Sequence, residues 1–155
     1  MSMQIREIIS TDYPKMTTLL KSENEHTWVF PSASYPMEQE EIRIRAQTRD
    51  FIMIEQDEVL VGFANLYEEE GHLFIGNFAI AKAYRKQGYG KKLMVIMRER
   101  ARAKYGAKEL RISVVKENSV AMGLYEGFGF ARCGVEIFLS PKGEYLSFVH
   151  MKMAL

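Results

Sequence analysis

Residues 76–94 read GNFAIAKAYRKQGYGKKLM. A strand-like run ends near Ile80, a short loop follows, and Arg85-Lys86-Gln87-Gly88-Tyr89-Gly90 leads straight into a helical pattern. That arrangement has the physics of an anion site. The first N–H groups of a helix have no intrahelical acceptor, and the macrodipole makes that end positive. Gly88 and Gly90 lack Cβ atoms, so an anion can come close to the backbone. Arg85, Lys86, Lys91 and Lys92 add positive charge around it. The loop does not end in the Gly-Lys-Ser/Thr of a Walker sequence, and its two glycines fall short of a dinucleotide fingerprint. Taken alone it fits a phosphate cradle or a glycine-assisted turn into a basic, solvated helix.

Working outward, residues 90–105 place Leu93, Met94, Met97 and Ala101 on one face of a helix that Gly106 stops. Residues 109–115 read as a strand, 119–127 as a helix, and 130–139 with 144–153 as a hairpin around Pro141-Lys142-Gly143. Upstream, 51–56 and 59–68 are strands joined by an Asp57-Glu58 turn, and Gly71 opens a third over 72–80. Residues 4–9 form an edge strand. Thr11 or Asp12 caps a helix to about residue 22, with Pro14 in its first turn. Residues 23–36, with Trp28, Phe30, Pro31 and Pro36, read as a loop containing a short helical turn at best, and 37–48 as a charged helix. The order β-α-α-β-β-β-α-β-α-β-β describes an α/β chain with a mixed sheet flanked by helices.

The length of 155 residues and the absence of repeats or linkers suit a single domain over 1–155. With 47% hydrophobic and 26% charged residues, the composition is that of a globular protein. No apolar run is long enough to span a bilayer, and MSMQIREIIS lacks the apolar stretch of a signal peptide, so a soluble cytoplasmic protein is expected. The lone cysteine, Cys133, has no pairing partner, and no Cys/His cluster offers metal spacing, so no metal is expected. The 21 basic and 20 acidic side chains leave a net charge of +1, which points to a small-molecule ligand rather than nucleic acid. A nucleic-acid binder using the basic helix 91–104 is the low-ranked rival, since Glu99 interrupts that helix.

A second segment, NSVAMGLYEGFGF at 118–130, begins with a capping asparagine and carries Ala121, Leu124 and Tyr125 at helical spacing before Gly127. An isolated tyrosine there reads as a core aromatic with its hydroxyl at the rim. The two segments together resemble the GNAT superfamily of N-acetyltransferases. Arg85-x-x-Gly88-x-Gly90 looks like its pyrophosphate motif, and Asn118 through Phe130 looks like its second motif, in the same order and separation. The resemblance extends over essentially the whole chain, with the first 50 residues matching only in outline.

The resemblance implies a largely antiparallel seven-stranded sheet with splayed central parallel strands and about four flanking helices. It also implies an acetyl-CoA-dependent N-acetyltransferase acting on a primary amine of a small molecule or peptide by direct attack in a ternary complex. The pantetheine arm would lie between strands 72–80 and 109–115, bonded to backbone groups of Phe78 and Ile80. The loop residues Arg85, Lys86, Gln87, Gly88, Tyr89, Gly90 and Lys91 would hold the pyrophosphate, with Asn118 touching the cofactor from the other side. The Phe78 N–H would stabilise the oxyanion, and Tyr125 would protonate the departing thiolate. Many relatives place a glutamate where this chain has Phe74. His72, Glu70 or a water chain could replace it as base, and His72 has the apt intrinsic pKa. A non-catalytic acyl-CoA-binding module with the same fold is the other alternative. Acidic residues in 23–48 and at 68–70 could steer a cationic amine, Trp28, Phe30 and Tyr35 could line its pocket, and Phe138 and Phe148 could belong to a homodimer contact.

Overall fold

The computed structural model describes residues 2–155. The elements run β1 (Met3–Glu7), α1 (Tyr13–Thr17), α2 (Glu23–Val29), α3 (Gln39–Ala46), β2 (Asp50–Gln56), β3 (Val59–Glu69) and β4 (His72–Ile80). They continue with α4 (Tyr89–Tyr105), β5 (Glu109–Val115), α5 (Ser119–Phe128), β6 (Ala131–Leu139) and β7 (Tyr145–Ala154). Seven strands form one sheet in the order β1-β2-β3-β4-β5-β7-β6, antiparallel except where β4 meets β5.

Strand alternation divides the core between the two faces of the sheet. In β2, Ile52 and Ile54 face Leu93, Met94 and Met97 of α4, while Phe51 and Met53 face Met16, Phe30 and Ile42 on the opposite side. Both faces of the central strands are therefore covered, which explains their nearly continuous apolar sequence. The turn at Asp57 and Glu58 has φ values of 51° and 68°, the left-handed pair a tight hairpin requires.

The N-terminal third departs from expectation in two places. The helix expected to reach residue 22 is a 3₁₀ turn at Ser10–Asp12 followed by α1, which ends at Thr17. The hydroxyls of Thr17 and Thr18 bond back to the Pro14 carbonyl at 2.8 and 3.2 Å, in competition with continued helix. The segment expected to be a loop contains α2, capped by the Ser22 hydroxyl, which accepts from the Glu25 N–H at 3.1 Å. Among the described residues five α-helices flank the sheet, in keeping with the expected architecture.

Two irregularities in β4 prepare the site. Phe63 pairs with Ala79 and Asn65 with Gly76, so Asn77 and Phe78 together stand opposite Ala64. This bulge puts Asn77 at φ 47° and takes Phe78 out of regular register. On its other edge β4 pairs with β5 only at Phe74↔Arg111 and Ile75↔Ile112, and beyond these the two strands part.

Candidate active site

The parting of β4 and β5 opens a cleft of about 410 Å³. Gly76, Asn77 and Phe78 line it from β4, Ile112, Ser113 and Val114 from β5, and Asn118 and Tyr125 from α5. A smaller cleft of about 330 Å³ shares Glu69, Ser113, Glu136 and His150 with it and extends toward His72 and Phe74.

The glycine loop meets the sheet where α4 begins. Gly88 occupies the N-cap position at φ 86°, a conformation that favours glycine. A Cβ on Gly90 would come within 3.1 Å of Leu124, so the missing side chain lets α4 start close against α5. Among the described residues, no backbone acceptor engages the amides from Lys86 through Lys91. This donor set fits a diphosphate.

Arg85 anchors the loop from within the protein. Its guanidinium makes a bidentate pair with Glu25 of α2 at 3.0 and 2.8 Å, and its Nε donates to the Ile80 carbonyl at 3.0 Å. That pair raises the Arg85 pKa and lowers that of Glu25, and it fastens the loop to α2. The Ile80 carbonyl is thereby engaged within the protein. Gln87 donates to the Ala83 carbonyl at 2.9 Å, and the Tyr89 ring stands edge-on to Tyr84.

Tyr125 is 4% exposed, with its ring edge-on to Phe78 at 5.8 Å and tilted against Phe130 at 6.2 Å. Burial pushes its phenol pKa well above the usual value, so it keeps its proton at neutral pH. Asn118 caps α5 by accepting from the Ala121 N–H at 3.3 Å, and its residue also faces the cleft.

His72 lines the smaller cleft rather than the one containing Tyr125, with Nδ1 3.5 Å from a Glu109 oxygen. Phe74 stacks on Tyr67 at 5.4 Å. The geometry brings forward another group. His150 of β7 has Nδ1 2.6 Å from the Ser113 hydroxyl and Nε2 2.9 Å from Glu136, and all three line both clefts. Cross-strand register creates this chain, because Ser113 is the partner of His150, and Glu136, whose partner is Phe148, lies diagonal to it. Only the alternation of β7 hinted at it in the sequence.

The aromatic residues also divide. Trp28 lines the cleft, Phe30 is fully buried in the core, and Tyr35 packs on His26. Phe138 and Phe148 pack on each other at 5.5 Å and wall the cleft. Of the acidic residues, Glu23, Glu40 and Glu41 pair with Lys142, Arg43 and Arg45, whereas Glu69 remains in the cleft. No group of three potential metal ligands occurs among the described residues, and no helix there is long and apolar enough to cross a membrane.

The Acetyltransferase (GNAT) family model matches residues 4–130. The chain is 30% identical over 112 residues to a streptothricin acetyltransferase of Streptomyces lavendulae, covering 68% of this chain and 59% of that protein. It is 33% identical over 79 residues to a Bacillus subtilis subsp. natto protein named "Probable spermine N(1)-acetyltransferase", covering 46% of this chain and 52% of that one. The chain thus spans little more than half the length of these curated relatives. In fold it is similar to a GNAT family acetyltransferase from Elizabethkingia anophelis solved with acetyl-CoA bound. The TM-score is 0.69 at 17% identity, over 99% of this chain and 98% of that one.

Proposed function

The chain belongs to the acetyltransferase (GNAT) family, and on that premise we propose that it transfers an acetyl group from acetyl-CoA to a primary amine of a small molecule or peptide by direct attack in a ternary complex. One observation carries the reading. The parting of β4 and β5 beyond Ile75 and Ile112 lies beside a helix N-terminus whose amides have no backbone acceptor. A thioester on a long arm with a diphosphate needs that combination of slot and cradle. The curated relatives are named for spermine and streptothricin, which supports an amine acceptor.

Acetyl-CoA brings the activated acyl thioester, and the chain's own residues do the rest. The amides of Gln87, Gly88, Tyr89, Gly90 and Lys91 hold the diphosphate, assisted by the charge of Lys86 and Lys91. Arg85, paired with Glu25, shapes the loop and adds its charge beside the diphosphate. Asn118 borders the arm from α5, and Phe78 offers its bulged backbone to the arm and to negative charge developing on the acyl oxygen. Tyr125 supplies a proton to the leaving thiolate.

An acceptor ammonium, with a pKa of about 10 if it resembles lysine, must lose a proton before attack. The Ser113–His150–Glu136 chain borders the same cleft as Tyr125 and can pass that proton outward, whereas His72 stands in the neighbouring cleft. The test is a thiol-release assay with acetyl-CoA and a panel of polyamines, amino acids, aminoglycosides and peptide N-termini. Release with at least one amine class is expected. Background rates with every amine, despite saturable acetyl-CoA binding, would instead establish a non-catalytic binding module.

A further inference from the structure

Arg49 follows α3 and lines the cleft beside Tyr67, Gly76 and Asn77. Every other arginine of the chain has a carboxylate within 4.0 Å; among the described residues, Arg49 alone has none. It is held by other means. Its guanidinium lies over the Tyr67 ring at 4.0 Å, and Nη1 donates to Asn77 Oδ1 at 3.0 Å. Asn77 is itself fixed, donating to the Val29 carbonyl and accepting from Asn65, both at 2.8 Å.

Even the strand beneath is shaped to this guanidinium. A Cβ on Gly76 would lie 2.8 Å from Arg49 Nη1 and 2.7 Å from Tyr67 Cε1. Burial lowers the pKa of Arg49, which marks a charge only partly compensated by its surroundings. A guanidinium has five N–H donors, and one has an acceptor here. Glu69 faces the same cleft but stays outside ion-pair range.

A half-buried planar cation, positioned by stacking and open to a cleft, complements a planar anion. We infer that Arg49 binds a carboxylate of the acceptor, so that the substrate class is an amine that also carries a carboxyl group, as an amino acid does. This inference rests on the transferase reading above. Glu69 and Glu136 border the same space and favour the cationic end of such a zwitterion. A polyamine would leave the guanidinium without an anion and add like charge beside it.

The experiment compares matched pairs, L-lysine against cadaverine and L-phenylalanine against phenethylamine, with CoA-saturated protein. Binding is read by calorimetry, and turnover is read separately by thiol release from acetyl-CoA. The carboxylate-bearing member of at least one pair should bind more tightly by about 10- to 100-fold, and Arg49→Gln should erase that preference while leaving the decarboxylated partner little changed. Arg49→Lys, which keeps the charge but loses the planar fork, should retain part of it, and it provides a second test if the glutamine variant folds poorly. Equal binding within both pairs, or a preference that survives Arg49→Gln, overturns the inference. Carboxylate preference without thiol release from any amine would uphold the Arg49 site and remove the transferase reading instead.

Discussion

Replacing Tyr125 with phenylalanine separates chemistry from packing more cleanly than any other substitution in the cleft. The ring is enclosed by Phe78 and Phe130, while no hydrogen bond ties the hydroxyl to another group of the described chain. Tyr125→Phe therefore keeps the apolar contacts and removes an oxygen for which folding has little use. The expected effect on stability is within about 1 kcal/mol of neutral, since the ring keeps its contacts and the hydroxyl is not among the buried polar atoms left without a partner. For a chain of this length that is a melting shift of about 3 °C at most, in either direction. If the phenol protonates the leaving thiolate, its loss should lower kcat by about 10²- to 10⁴-fold, equivalent to roughly 3–5 kcal/mol of barrier. Continuous thiol detection gives the rate, a thermal melt the stability, and calorimetry with acetyl-CoA the affinity. Because burial raises the phenol pKa, Tyr125 should contribute no loss of activity on the alkaline side below about pH 10. A variant retaining turnover within about threefold of the parent would falsify the acid assignment. A melting temperature lower by many degrees would show that the hydroxyl serves packing after all.

Other consequences follow from the same geometry. His150→Ala should lower kcat by about 10²-fold or more and shift its pH profile, whereas His72→Ala should leave both nearly unchanged; the reverse result would return the proton route to the smaller cleft. Gly62→Ala would place a Cβ 2.6 Å from the Ala79 carbonyl oxygen and 2.6 Å from Ile80 Cδ1. Urea denaturation should then register a loss of about 1–3 kcal/mol, and an unchanged midpoint would show that β3 and β4 can shift apart. His26 is buried with both ring nitrogens unpartnered among the described residues, and burial, aided by Arg45, lowers its pKa. With the folded pKa below the unfolded value, the unfolded chain takes up the proton first. Its contribution is therefore complete above about pH 6.5 and declines as pH falls toward the folded pKa. Melting temperatures of the parent and His26→Phe between pH 8 and 5 should show this slope flattened in the variant; parallel curves would assign the slope to other groups.

Much of the fold was legible because its signals are local. The apolar period of α4, the paired turn residues Asp57 and Glu58, and the glycines at 88 and 106 each state their role within a few residues. Helix α2 was not legible, since Glu23–Val29 has no apolar period and depends on the Ser22 cap and on Arg85, sixty positions away. The candidate site divides along the same line. The glycine loop and Tyr125 stand in contiguous motifs. The Ser113–His150–Glu136 chain exists only through the register of β5, β7 and β6. Arg49 is not legible, because its distinction is the lack of a carboxylate neighbour, a fact of three-dimensional placement that no sequence window contains. Arg85 combines both: its motif is local, while its pair with Glu25 depends on the packing of α2 against the loop.

The diphosphate of acetyl-CoA is expected to occupy the start of α4. Calorimetric titration of acetyl-CoA into the parent protein and into Gly88→Glu addresses this directly, because a side chain there meets no atom within 4 Å of its Cβ, and both its carboxylate and the strain it suffers at φ 86° act at the cradle. Saturable, one-to-one heat with the parent and none with a variant that remains folded is the expected result. Absence of heat with the parent, or equal affinity in both proteins, would contradict it.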